Sequence, residues 1–270
     1  MSALTLELRE IPPTRIDGSA FTPEGLAGQT ANQVSRLPLW VGNRQVETGE
    51  LFAVRGKPGD TLIFRGDCDR LDWIGHRLAR GRIRVEGDVG AYLGRLMSGG
   101  AIETTGDAGL FAGSGLSGGI LRIGGNAGDF LGAAIPGERQ GLRGGRIEVL
   151  GSAGDRVGDR QRRGQILIAG NAGAYCGSRL VAGTILVLGA AGAGTGFAMR
   201  RGTLLLGAEP RLPPTFNPNG IQDLGFLALL ARDLASAGGP FAPLAGRGTR
   251  VRRWLGDLSC GGQGEVLVWA

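Results

Sequence analysis

Between Gly81 and Gly207 the apolar positions follow two periods at once. Over short runs they alternate, as in Ile83 and Val85, Ile102 and Thr104, Ile147 and Val149, or Ile166 and Ile168. Alternation of mostly β-branched residues predicts a half-buried strand. The runs themselves recur every nineteen residues, each opened by a glycine: Gly81, Gly100, Gly119, then Gly145, Gly164, Gly183 and Gly202. The one break holds seven extra residues near Ile135–Arg139.

Three further glycine columns run through the repeat, six, nine and thirteen residues after the first, as at Gly87, Gly90 and Gly94. The eighth position is small, from Val89 and Ala108 to Ala191. The eleventh is largely aromatic: Tyr92, Phe111, Phe130, Arg156 and Tyr175. A stack of coils explains all columns together: equivalent residues sit side by side as parallel neighbours and aliphatic columns fill the interior. Glycines turn the corners, where the backbone takes φ > 0 or approaches a neighbour closely. Asp88, Asp107, Asn126, Ser152 and Asn171, each next to a corner glycine, suit Asx-type turns. The predicted fold is all-β, a right-handed parallel β-helix, the hand following from parallel crossovers. Leu62-Ile63-Phe64 and Asp72-Trp73-Ile74-Gly75 predict a divergent coil ahead of Gly81.

The flanks do not repeat. Residues 1–58 read as an N-terminal cap with strands at Leu4–Leu8 and Leu51–Val54, which would cover an open solenoid end. Residues 59–207 are the repeat domain, and 208–270 a C-terminal part. That part has a Pro-rich connector, a helix predicted over Ile221–Ala235 from the spacing of Leu224, Leu227, Leu230, Ala231 and Leu234, and a strand over Glu265–Trp269.

Composition narrows the function classes. Of 270 residues 53 are glycine, but 12 prolines are too few for collagen, and the aliphatic content argues against disorder. The net charge is +6, and Lys57 is the only lysine, so the positive charge is arginine. Interleaved acids and scarce aromatics disfavour a nucleic-acid platform. Three scattered cysteines (Cys68, Cys176 and Cys260) fit neither a disulfide framework nor zinc. The start, Met1-Ser2-Ala3-Leu4-Thr5, has no signal-peptide pattern, and no apolar run reaches membrane length, so the expected location is cytoplasmic.

Candidate chemistry is sparse. His76 is the single histidine, with nothing near it in sequence to build a triad or a metal site. Gly113-Ser114-Gly115-Leu116-Ser117-Gly118 spells GxGxxG, yet a dinucleotide site needs a helix after it, and a strand is predicted at Ile120–Ile123. Asp67, Asp69 and Asp72 form a local acidic cluster that suits a solvated turn better than Ca²⁺. No catalytic or metal residue is therefore expected. The informative feature is a column at the seventeenth and eighteenth positions: Arg143, Arg162, Arg163, Arg200 and Arg201, with Arg160 and Arg179 nearby. Stacked coils would align them into a carboxylate-binding ridge, with a solvated edge as the alternative. The third position shifts from Arg84, Glu103, Arg122 and Glu148 to Leu167, Leu186 and Leu205, an apolar outer face for a partner or for the chain's own C-terminal helix.

Repeats such as Gly170-Asn171-Ala172-Gly173-Ala174-Tyr175-Cys176-Gly177 resemble the GxxGxxxG repeat of two groups. These are the C-terminal domain of the glutamate synthase large subunit and the C subunit of formylmethanofuran dehydrogenase. The cap, with Leu37–Asn43 and Leu51–Gly56, resembles the second group. That resemblance implies a non-catalytic structural subunit of a formyltransferase/hydrolase complex in one-carbon metabolism, tilted by the arginine-rich composition towards the bacterial type. It implies amidohydrolase-like, formyltransferase and molybdoenzyme-like partner subunits, and no cofactor in this chain. A methanofuran-type carrier would belong to the complex and accept formyl groups from tetrahydromethanopterin before formate is released; its acidic tail is one carboxylate source for the Arg ridge, an acidic partner surface the other. A self-contained β-helix enzyme and a glutamate synthase-like structural domain are the alternatives.

Overall fold

The computed structural model describes residues 3–270. Met1 and Ser2, which begin the stretch without a signal-peptide pattern, lie outside the described residues. The chain is mostly β, with few helices and one large mixed sheet of thirteen strands beside a second sheet of four.

The body of the large sheet is the repeat. Strands Arg82–Glu86, Ala101–Thr104, Ile120–Ile123, Arg146–Val149, Gln165–Ile168, Thr184–Val187 and Arg201–Leu206 pair in parallel, each with the next. Ile147 faces Ile166, which faces Ile185, so partners lie nineteen residues apart, as the columns require. A second parallel ladder joins the small eighth-position residues, from Cys68 and Val89 through Ala108 to Ala191. The divergent coil takes its predicted place, with Leu62 opposite Ile83 and Phe64 opposite Val85.

The inner columns are sealed. Ile83, Ile166, Val85 and Ile168 have no exposed surface. Thr104 sits in the same column, and its hydroxyl donates to the Gly87 carbonyl at 2.6 Å, which satisfies it. The glycine columns divide into two physical classes. Gly100 has φ +72° at a corner, whereas Gly109 has no positive φ, but a Cβ on it would lie 2.8 Å from the Gly90 carbonyl carbon. The aromatic column adds a feature that composition does not show. Trp73, Tyr92, Phe111 and Phe130 all have positive φ, and their rings stack at 4.3, 5.5 and 4.6 Å.

The expected Asx turns are instead a ladder between coils. Asp88 Oδ1 accepts from the Asp107 N–H at 2.7 Å, and Asp107 Oδ1 from the Asn126 N–H at 2.6 Å. Asn126, Ser152 and Asn171 continue the series. The stacking places each side-chain oxygen beside an N–H one repeat later, closer at hand than a local turn partner.

Both flanks join the stack. Strand Ala3–Leu8 pairs parallel with Thr61–Arg65 and antiparallel with Phe52–Gly56. At the other end Gln263–Trp269 pairs parallel with Arg201–Leu206. The predicted C-terminal helix is shorter than expected, at Phe226–Ala235. Its expected first turn belongs to strand Asn217–Asp223, where Ile221 pairs with Arg252, and Gly225 separates the two. The helix accounts for the apolar outer face. Leu227, Leu234, Phe241 and Leu244 pack with Leu167, Leu186 and Leu205, the last three fully buried. Burying each such leucine is worth about 1.5–3 kcal/mol, so the chain covers this face itself.

Candidate functional site

The seventeenth-position column forms a third wall of the stack. Arg143 N–H donates to the Leu116 carbonyl, Arg162 to Leu142, Val181 to Gln161 and Arg200 to Leu180, all at 2.7–2.8 Å. These bonds fix a rise of about 4.8 Å per coil. The wall is not a continuous row of arginine, because the coil between the two Arg pairs carries Val181 and Ala182. Arg162 and Arg163 on one side and Arg200 and Arg201 on the other enclose a shallow notch of about 400 Å³ floored by those two residues. The pairs stand two coils apart, roughly 10 Å.

All four notch arginines are exposed. Among the described residues none of them forms an ion pair, and neither does Arg143, whereas Arg179 and Arg252 elsewhere do. Arg201 is steadied by Gln263, whose Oε1 accepts from its Nε at 2.7 Å. Arg143 lies outside the notch and donates to the Gly115 carbonyl at 3.2 Å. Arg160 and Arg179 do not join the ridge. Arg179 holds the buried Asp159 through two bonds of 2.8 and 2.6 Å, and Arg160 donates to the Glu138 carbonyl at 2.9 Å. The break in the arginine column was present in the sequence as Val181-Ala182, and the floor of the notch follows from it.

The other candidates stay apart. His76 packs edge-on against Trp73 at 5.4 Å. Burial lowers its pKa, and the Arg95 and Arg77 cations lower it further, so the ring is neutral near pH 7. Asp72 is tied to Arg15 and to the Ala91 N–H, both at 2.7 Å. Among the described residues no three His, Cys, Asp or Glu side chains are grouped to hold a metal ion. Burial pushes the Cys68 thiol up to about 12, with Asp67 and Asp69 adding to the shift, and burial alone does the same for Cys176. Both are protonated and unreactive. The GxGxxG run leads into strand Ile120–Ile123, not a helix. Among the described residues no helix is long and apolar enough to cross a membrane.

Fold and site together define a glycine-repeat, mostly β protein that presents a rigid basic notch on one wall. No protein-family model matches the chain. Over 89 residues it is 44% identical to the C subunit of the formyltransferase/hydrolase complex Fhc of Methylorubrum extorquens, covering 33% of this chain and 34% of that protein. Over 84 residues it is 37% identical to the C subunit of the molybdenum-containing formylmethanofuran dehydrogenase 1 of Methanosarcina barkeri, covering 29% and 28%. The matched stretches span about a third of the length of these curated relatives. The likeness to a solved structure is longer. A chain in the crystal structure of the formyltransferase/hydrolase complex (FhcABCD) from Methylorubrum extorquens, in complex with methylofuran, superposes with a TM-score of 0.90 at 42% identity, over 98% of this chain and 99% of that one. The chain belongs to the family of C subunits of formyltransferase/hydrolase and formylmethanofuran dehydrogenase complexes.

Proposed function

We propose that this chain is the structural and interaction subunit of a formyltransferase/hydrolase complex, and that the reaction is carried by its partners. The observation that carries this reading is the end-to-end likeness to a chain of the FhcABCD assembly. In this reading the stacked coils are a right-handed parallel β-helix, residues 1–58 and 208–270 cap residues 59–207, and the whole works in the cytoplasm. Amidohydrolase-like, formyltransferase and molybdoenzyme-like subunits move a formyl group from tetrahydromethanopterin to a methanofuran-type carrier and release formate. The β-stack gives them a rigid frame, since its parallel ladders and sealed core leave little freedom to bend.

Within that role the basic column docks carboxylates, from an acidic partner surface or an acidic carrier. Single exposed contacts are weak, about 1 kcal/mol or less, so a set of them must act together. Changing Arg143, Arg162, Arg200 and Arg201 together to Ser is expected to leave the fold intact and to weaken assembly or carrier retention, more so at high salt. Mass spectrometry of the purified complex reads both. Unaltered stoichiometry and carrier content at high salt would make the column a solvated edge. The isolated chain is expected to show no formyl-transfer or hydrolase turnover, and turnover lost on changing His76 or Asp72 would contradict the reading.

A further inference from the structure

We propose that the notch between Arg162–Arg163 and Arg200–Arg201 takes an extended acidic polypeptide segment of a partner protein, with carboxylates three residues apart. The inference rests on the docking reading above and commits it to one occupant.

The spacing selects the occupant's conformation. Backbone bonds from Arg162 to Leu142, Val181 to Gln161 and Arg200 to Leu180 lock the three coils of the notch. The two Arg pairs therefore stand roughly 10 Å apart on a wall that does not adjust. A polyproline-type segment advances about 3.1 Å per residue with three residues per turn, so side chains at i and i+3 share a face about 9.3 Å apart. A β-strand offers no such match, because i and i+3 point to opposite faces. Val181 and Ala182, both half-buried, form an apolar floor for the residues between the two acids.

Charge selects the same occupant. Four exposed arginines crowd one depression of about 400 Å³ with no acid paired to them among the described residues. Two carboxylates would meet two guanidinium pairs, each able to hold its partner through a planar fork. Arg143 lies outside this geometry and is not needed for it.

The test uses the full chain and a fluorescein-labelled peptide, Glu-Pro-Pro-Glu-Pro-Pro-Glu, in fluorescence anisotropy at about 50 mM salt, where exposed charges are weakly screened. An isomer with its three acids adjacent is the control. The spaced peptide is expected to bind roughly tenfold tighter than the control, as for a two-point contact of matched span. Two variants should each remove at least about tenfold of that affinity without moving the melting temperature, since both change positions outside the core. One replaces all four notch arginines by Ser; the other, Ala182→Glu, leaves them in place and puts a carboxylate on the floor. Equal affinity for the two peptides, or undiminished binding by both variants, would overturn the proposal. So would tight binding of free oligoglutamate with none of the spaced peptide, an outcome that leaves the general docking role standing. Failure of that role is read separately, by co-purification of the chain with its partners.

Discussion

Arg122 reaches across the outer face to hold Glu148: its Nε donates to Glu148 Oε2 at 2.7 Å, while its Nη2 donates to the Ala237 carbonyl at 2.6 Å. Arg122 thus makes the closest ion pair with a carboxylate that is 2% exposed, with Arg146 Nη1 at 3.9 Å from its other oxygen, and ties the repeat body to the segment after the C-terminal helix. Removing one partner of such a pair leaves a buried charge. Arg122→Met is expected to destabilise the chain by about 2–4 kcal/mol. Adding Glu148→Met should restore much of that loss, because the buried carboxylate is then gone and Arg146 keeps its pair with Asp233. Urea unfolding of the two single variants and the double variant measures the coupling.

Ile166 sits in the innermost column between Ile147 and Ile185, with no exposed surface. Ile166→Asp places a carboxylate there without a partner, at a cost of at least several kcal/mol. The soluble yield and the melting temperature should both collapse. An unchanged melting temperature would mean that the inward and outward faces of every strand have been exchanged.

Gln161 interrupts a column otherwise built from Leu116, Leu142, Leu180 and Met199, and it is fully buried. Its Nε2 donates to the Gly164 carbonyl at 2.9 Å, but its Oε1 has no partner. The Gly164 carbonyl also accepts from the Thr184 N–H, so losing the glutamine does not orphan it. Gln161→Leu is therefore expected to raise stability by about 1 kcal/mol. Thermal unfolding reads the gain.

Asp257 is a buried carboxylate at the C-terminal end. Burial alone would raise its pKa, but the nearby Thr215 hydroxyl, with hydrogen bonds from the Ser259 hydroxyl and N–H and from the Ala198 N–H, outweighs that and holds it below the usual carboxylate value. A pKa lower in the folded than in the unfolded chain stabilises the fold above the ordinary value near 3.8. That contribution fades as pH falls below that value and through the folded-state pKa. Asp257→Asn should therefore melt earlier than the wild type at neutral pH, with the gap narrowing in acid. A gap that is constant with pH would place the effect in packing rather than charge.

Much of this architecture was legible because the repeat forces the same residue into the same place. Gly100 recurs because its corner needs positive φ, and Gly109 because a neighbouring carbonyl leaves no room for a Cβ. Tyr92 and Phe111 were legible only as aromatics. Their positive φ costs roughly 1–2 kcal/mol each, offset in part by ring stacking of about 0.5–1.5 kcal/mol, and no local signal marks it. Asp107 looked like a turn residue because its actual partner, the Asn126 N–H, lies nineteen positions away in sequence. The helix start was misplaced because Ile221 continues the apolar spacing of the helix while its backbone pairs with Arg252. The arginine column was visible, but its division into a two-walled notch rests on Val181 and Ala182, residues whose chemistry attracts no notice until the coils are stacked.

If the chain is an integral part of a larger formyl-processing assembly, it must travel with that assembly. Affinity purification of the tagged chain from its native cell, followed by native mass spectrometry, decides this. The chain is expected to elute in fixed stoichiometry with formyltransferase and amidohydrolase-like subunits, and formyl-transfer and hydrolase activity should follow the assembly rather than the free chain. Elution of the chain alone, with the activity in fractions that lack it, would contradict that role.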